Sequence, residues 1–325
     1  MNRRDLNRAV MVALTCGPGA FVPASAQQPA RLYRIGVLRF GAPGDGWQQG
    51  LVDALAAIGY HEGRNLQSEW RWVNSAEMAQ RQATELAGMR LDLIVASTSP
   101  AAVALKAARP QAPIVMAGVA DAVGAGLVAS LARPGGNITG VSTNLPAVVP
   151  KHLQLLREAL PGLQRAAFLG STEDKATPLF VEHARAAAAA LGVSMQLVLI
   201  SRASEFASAV DAMARDRIQA VVVQPLFANT AAPLADALTR DKLLSISSLR
   251  GFANSGGLMT YGPSRADLYK RAASFIDRLL KGAKPAELPV EEPTRYDLVL
   301  NLRTAASIGL TIPPSLRQRA DEVLQ

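Results

Sequence analysis

The sequence predicts an α/β protein of two lobes with parallel sheets joined by a hinge, and three observations predict it. The chain has 325 residues, more than one ordinary core holds when domains run to about 100–200 residues. From Tyr33 to Leu249, apolar runs of strand length alternate with longer amphipathic runs, the cadence of parallel strands joined by right-handed crossover helices. The cadence restarts after Pro150 with no low-complexity stretch in between, so short connecting strands and not a tether should join the lobes.

The elements follow in order. Arg34–Phe40 reads as a buried strand, Trp47–Gly59 as a helix stopped by glycine, Asn65–Val73 as a strand and Ala76–Gly88 as a helix. Asp92–Ser97 is the next strand, Pro100–Arg109 a helix and Ile114–Val119 a strand. The second lobe has helices at Lys151–Leu160, Lys175–Leu191, Ala203–Arg215 and Thr230–Asp241, with strands at Arg165–Ser171, Val193–Ile200, Ala220–Pro225 and Leu243–Leu249. Each lobe is thus Rossmann-like. The remaining residues supply a long helix at Ser264–Lys281, a strand at Tyr296–Asn301 and a short final helix, too little for a third domain. They are expected to cross back and complete both lobes: residues 31–143 with about 263–283, and 144–262 with about 284–325.

Composition narrows the function. Hydrophobic residues are 49% and charged residues 18% of the chain, which supports a packed core and argues against disorder. Aromatic residues are only 5%, few for a base-stacking surface. The net charge of +8 comes from scattered residues with no basic run, unlike the clustered charge of a nucleic-acid binder.

Residues 1–26 read as a secretory signal peptide. Arg3, Arg4 and Arg8 precede the apolar run Ala9–Leu14, and Ala24-Ser25-Ala26 forms a small-x-small cleavage site. The protein is therefore expected in the periplasm. Sec and twin-arginine export both fit Arg3-Arg4. The one cysteine, Cys16, lies in this leader, which excludes a disulfide framework or a cysteine nucleophile from the mature chain.

The chain has no Gly-x-Ser-x-Gly elbow, no Gly-x-x-x-x-Gly-Lys loop and no His-Glu-x-x-His helix. His61, His152 and His183 stand in separate elements and read as solvated surface residues, with no metal site expected. Gly44-Asp-Gly46-Trp-Gln-Gln-Gly50 follows the first strand where a dinucleotide loop would sit, and Glu69 could meet a ribose. The spacing departs from the fingerprint, so an oxidoreductase is the weaker reading, and no cofactor and no enzymatic activity are expected.

A binding cleft remains. Open parallel sheets bind ligands beyond the carboxyl ends of their strands. Phe40 and Gly41 follow the first strand there; Ser97, Thr98 and Ser99 follow the third and open a helix, where hydroxyls and free N–H groups can hold an anion or simply cap. Asp121 follows the fourth strand, as a ligand acceptor or a turn former. Ser171, Gln224 and Arg250 take the equivalent ends in the second lobe.

The chain also resembles a known family, the periplasmic substrate-binding proteins of ABC transporters with the type I two-lobed fold, in its tryptophan/tyrosine-binding group. The blocks that carry the resemblance include Arg34-Ile-Gly-Val-Leu38, Glu69-Trp-Arg-Trp72, Ala125-Gly-Leu-Val-Ala-Ser-Leu-Ala-Arg-Pro-Gly-Gly-Asn-Ile-Thr-Gly140, Gly256-Gly-Leu-Met-Thr-Tyr-Gly-Pro-Ser264 and Leu288-Pro-Val-Glu-Glu-Pro-Thr294. Two departures fall at the cleft. Thr98-Ser-Pro-Ala101 stands where the family has Gly-Thr-Pro-Ala, and Asp121-Ala-Val123 where it has Asp-Pro-Val. The resemblance implies a solute-binding protein that delivers a small molecule to an ABC permease and its ATPase, with an amino acid or related carboxylate as candidate solute; a monomer is expected. A sensor docking on a membrane receptor is the alternative.

Overall fold

The computed structural model describes residues 31–325 except 42 and 45, and the side chains of 228–230 are set aside. The signal peptide, its cleavage site after Ala26 and Cys16 lie outside the described residues.

The first sheet has the order β2-β1-β3-β4-β5, all parallel. Its strands are β1 (Tyr33–Phe40), β2 (Leu66–Val73), β3 (Leu93–Ala96), β4 (Ile114–Val119) and β5 (Ile138–Ser142). Helix α1 (Trp47–Ala56) joins β1 to β2, α2 (Ala76–Gly88) joins β2 to β3, and α3 (Ser99–Ala108) joins β3 to β4. Strand alternation sorts the core into two layers. Ile35, Val37, Val95 and Val115 pack under α1, while Leu38, Ile94, Ala96 and Met116 pack under α2 and α3.

Lobe two repeats the plan. Helix α4 (Val149–Ala159) leads to β6 (Arg165–Ser171), α5 (Thr177–Leu191), β7 (Ser194–Ile200), α6 (Phe206–Arg215), β8 (Ala220–Val223), α7 (Ala231–Arg240) and β9 (Leu244–Ser247). There follow α8 (Arg250–Asn254), β10 (Met259–Pro263), α9 (Arg265–Leu280), β11 (Tyr296–Asn301), α10 (Leu302–Ser307), α11 (Pro314–Gln318) and β12 (Glu322–Leu324). The second sheet has the order β12-β11-β10-β9-β8-β6-β7. It departs from the expected parallel sheet in one place: β11 runs antiparallel to β10, because the chain re-enters from the first lobe at the carboxyl end of β10.

The strands β5, β10 and β12 did not stand out in the sequence. Gly140 interrupts the apolar run of β5, Gly262 and Pro263 that of β10, and β12 has only 3 residues, so sheet pairing defines them. Three segments connect the sheets: 143–148, 264 and 281–295. Helix α9 returns to the first lobe, where Tyr269, Ala272, Phe275 and Ile276 join the layer of α1. The third segment stays with the first sheet as far as Glu291, whose N–H donates to Gly140 O while Ser142 N–H donates to Glu291 O. Ala120 and Leu145 reach the other way, into the core around α4 and α5.

Candidate ligand-binding site

The connections after β5 and β10 leave from carboxyl ends, so both sheets turn those ends toward the segments that join them. In each sheet the helices reverse sides at one point. The α1 side meets the α2 and α3 side between β1 and β3, and the α5 side meets the α6 side between β6 and β8. Such switch points open crevices at the strand ends.

At the first of them Ser97 is buried, and its Oγ accepts a 3.4 Å hydrogen bond from Arg39 Nη1. Thr98 is the N-cap of α3 and accepts from Ala101 N–H. Ser99 Oγ accepts from Ala120 N–H at 3.0 Å, which ties the start of α3 to the end of β4. Asp121 Oδ1 accepts from Val123 and Gly124 N–H at 3.1 and 2.9 Å, so the carboxylate builds its own turn. Phe40 packs against the α2 and α3 layer, and Gly41, at φ 130°, donates to Val73 O. These six residues therefore line one edge of the first sheet.

At the second switch point Gln224 is 1% exposed and satisfied on both ends. Its Oε1 accepts from Ser171 N–H at 2.8 Å and from Thr177 Oγ1 at 3.1 Å, and its Nε2 donates to Asp174 Oδ2 at 2.8 Å. The Ser171 and Gln224 pair thus bridges β6 and β8. Arg250 stands apart at the start of α8, donating through both terminal nitrogens to Glu322 at the start of β12.

Sequence reasoning missed three features. Arg39 is 6% exposed, with its guanidinium 4.9 Å from the centroid of Trp47. The signal was a charged residue two positions after Val37 in an apolar strand, on the face that packs under α1. Trp47, Trp70 and Trp72 form an aromatic wall, Trp70 and Trp72 stacked at 5.6 Å and Trp47 edge-on to Trp70. Ser248, just past β9, has a buried Oγ without a hydrogen-bond partner.

His152 corrects an expectation. It is buried on α4 and not a surface residue, at 1% exposure, with Nε2 2.7 Å from Tyr261 O. Burial pushes its pKa down to about 4, against a smaller upward effect of that carbonyl. Glu69 is engaged by Arg34 and Arg71 at 3.8 and 3.7 Å, which occupies the acid of the dinucleotide reading. Among the described residues no three His, Asp or Glu side chains form a group that could hold a metal ion, and no helix is long and apolar enough to cross a membrane.

The comparisons with known proteins agree with this architecture. A tyrosine-binding protein of Clostridioides difficile strain R20291 is 25% identical over 265 residues, covering 81% of this chain and 76% of that protein. A Streptococcus pneumonia ABC domain solved with L-Trp superposes with a TM-score of 0.84 at 28% identity, over 90% of this chain and all of that one. A conserved domain protein of Vibrio cholerae does so at 26% identity, with the same TM-score and coverage. The fold is that of the type I periplasmic binding proteins. Residues 42–324 match the family described as ABC transporter substrate binding protein, and the chain belongs to that family.

Proposed function

We propose that this substrate-binding protein is exported, captures an amino acid or related carboxylate between its lobes, and presents it in the periplasm to an ABC permease with its ATPase. The observation that carries the reading is the pairing of two switch points, each bridged by a polar contact, at sheet edges that both face the connecting segments. Capture follows from this layout. A solute that touches both edges makes its full set of contacts only when the lobes close, so it selects the closed form. The names of the two relatives that bind tyrosine and tryptophan support an aromatic amino acid as the solute.

On this reading the lobes are 31–143 with about 263–283 and 144–262 with about 284–325; the packing of α9 on the first sheet supports the first of these, and the bonds of Glu291 to β5 extend the first lobe to residue 291. The protein works as a monomer, without cofactor and without turnover. Ligand contacts come from Phe40, Gly41, Ser97, Thr98, Ser99, Asp121, Ser171, Gln224 and Arg250. The first six share one edge, and Ser171 and Gln224 face them from the other lobe. Cleavage after Ala26 releases the mature chain.

Titration calorimetry with L-tryptophan, L-tyrosine and a panel of small metabolites tests the reading. We expect one-site binding at micromolar strength, about 8 kcal/mol, with the solute recovered unchanged. A protein that binds none of them, or that releases an altered product, overturns it.

A further inference from the structure

Resting on that reading of the chain as a solute receptor, we propose that the Ser248 hydroxyl is the second lobe's hydrogen-bonding contact for the charged head group of the captured solute. Ser248 is 3% exposed, and among the described residues its Oγ has no hydrogen-bond partner. A hydroxyl taken out of water without a partner destabilises the fold that buries it. Folded proteins therefore hold few of them, and each needs a reason.

The reason lies in where the fold puts it. Strands β8 and β9 pair as far as Val223 and Ser247, so Gln224 and Ser248 stand side by side one step beyond the last pair. Strand alternation turns both toward the α4 and α5 layer, with Val222 and Ile246 preceding them on that face. Gln224 in turn reaches Ser171 and Thr177. One row of polar groups thus crosses the carboxyl ends of β6, β8 and β9, the edge at which open parallel sheets take their ligands. The first lobe meets the same layer through Ala120, the neighbour of Asp121.

Ser248 differs from the hydroxyls around it. Ser171 Oγ accepts from Glu173 N–H at 3.1 Å, and Thr177 Oγ1 donates to Ser171 O at 2.6 Å. Ser247, one residue earlier and on the opposite face, donates to Val223 O at 2.9 Å. A shift of the backbone cannot bring Ser248 to a partner of its own. A Cβ on Gly262 of β10 would lie 1.8 Å from Ser248 O, so the two strands already touch there with no space between them. The hydroxyl both donates and accepts, and it is held for a group that comes from outside the chain. Its bond is gained only with the solute in place, which adds to the selection of the closed form.

The test sets the two adjacent serines against each other. Calorimetry on the wild type with L-tryptophan, L-tyrosine and the panel of small metabolites identifies the solute that binds. Its affinity is then measured in Ser248→Ala and Ser247→Ala, beside urea unfolding of each variant without solute. We expect Ser248→Ala to bind about 10- to 150-fold more weakly, the factor for a hydrogen bond to a charged group. The same variant should unfold at the wild-type midpoint or above it, because the solute-free fold loses no bond. Ser247→Ala should do the opposite, unfolding at lower urea and binding as tightly as the wild type. Unchanged affinity in Ser248→Ala, or a loss of solute-free stability as large as that of Ser247→Ala, overturns the assignment and leaves the receptor reading standing. A wild type that binds no compound in the panel overturns both.

Discussion

His152 and Gln224 show how much a buried polar residue on these lobes is asked to do by its neighbours. A carbonyl can only accept, so His152 Nε2 must carry the proton that Tyr261 O receives, and Nδ1 is left bare in an apolar setting without a partner. Protonation would place a charge there. With a folded pKa of about 4 below an unfolded value of about 6.5, the fold requires the neutral ring. Its contribution is complete above the unfolded pKa and is lost as the pH falls toward the folded one, by about 1.4 kcal/mol per pH unit. Unfolding midpoints measured from pH 7.5 to 4.5 should therefore fall more steeply in the wild type than in His152→Gln, whose amide can still donate to Tyr261 O. Parallel curves would contradict the assignment. Gln224→Leu strands Ser171 N–H, at about 1–3 kcal/mol for an unsatisfied buried group, whereas the Thr177 hydroxyl keeps its shorter bond to Ser171 O at 2.6 Å. The loss should appear in denaturant unfolding of the solute-free protein, and a variant as stable as the wild type would show that the bridge across β6 and β8 is dispensable.

At the scale of elements, the approach of α1 to α9 rests on Gly50. A Cβ there would lie 2.0 Å from the Tyr269 ring, so Gly50→Ala must push α9 outward. We expect a cost of about 1–3 kcal/mol, read from chemical denaturation. Gly88, at the end of α2, has nothing within 4 Å of its Cβ position. Gly88→Ala should be neutral or stabilising by about 0.4–1 kcal/mol, and it serves as the matched control. The third connecting segment is held to α9 by Glu291, which accepts from Arg271 Nη1 at 2.9 Å and Arg278 Nη2 at 3.2 Å. Arg271 also pairs with Asp267 at 2.8 Å. The network keeps that segment on the first lobe and leaves residues 292–295 as the short stretch before β11. Between Arg250 and Glu322 the ion pair is partly exposed, so Glu322→Gln should change stability by no more than about 1 kcal/mol.

For the whole molecule, binding and stability are linked. A solute that binds only the folded, closed form at 100 times its dissociation constant adds about 2.7 kcal/mol. A thermal-shift screen should therefore rank solutes in the same order as calorimetry, and X-ray scattering should show compaction with those solutes alone. A solute that stabilises without compaction would mean that it does not bridge the lobes. The sequence by itself determined the class of the molecule. Continuous apolar strands such as Ile35–Leu38 and Ala220–Val223, set between amphipathic helices, admit only parallel sheet with both faces covered, because that pattern is local and periodic. The small and polar residues after those strands marked the edge where a site could form, and they share that edge in the structure. What only the tertiary structure decided is which atoms of these groups the fold already engages. Asp121 turns its carboxylate to its own loop, Gln224 to Ser171, and Arg250 to Glu322 from 72 residues away. Burial of His152 was equally illegible, since it depends on Tyr261, 109 residues distant, whereas Arg39 left a mark, a charge on the buried face of an apolar strand. Spacing along the chain carries the period of an element, whereas the partner of a polar atom is set by whichever strand the sheet order places beside it.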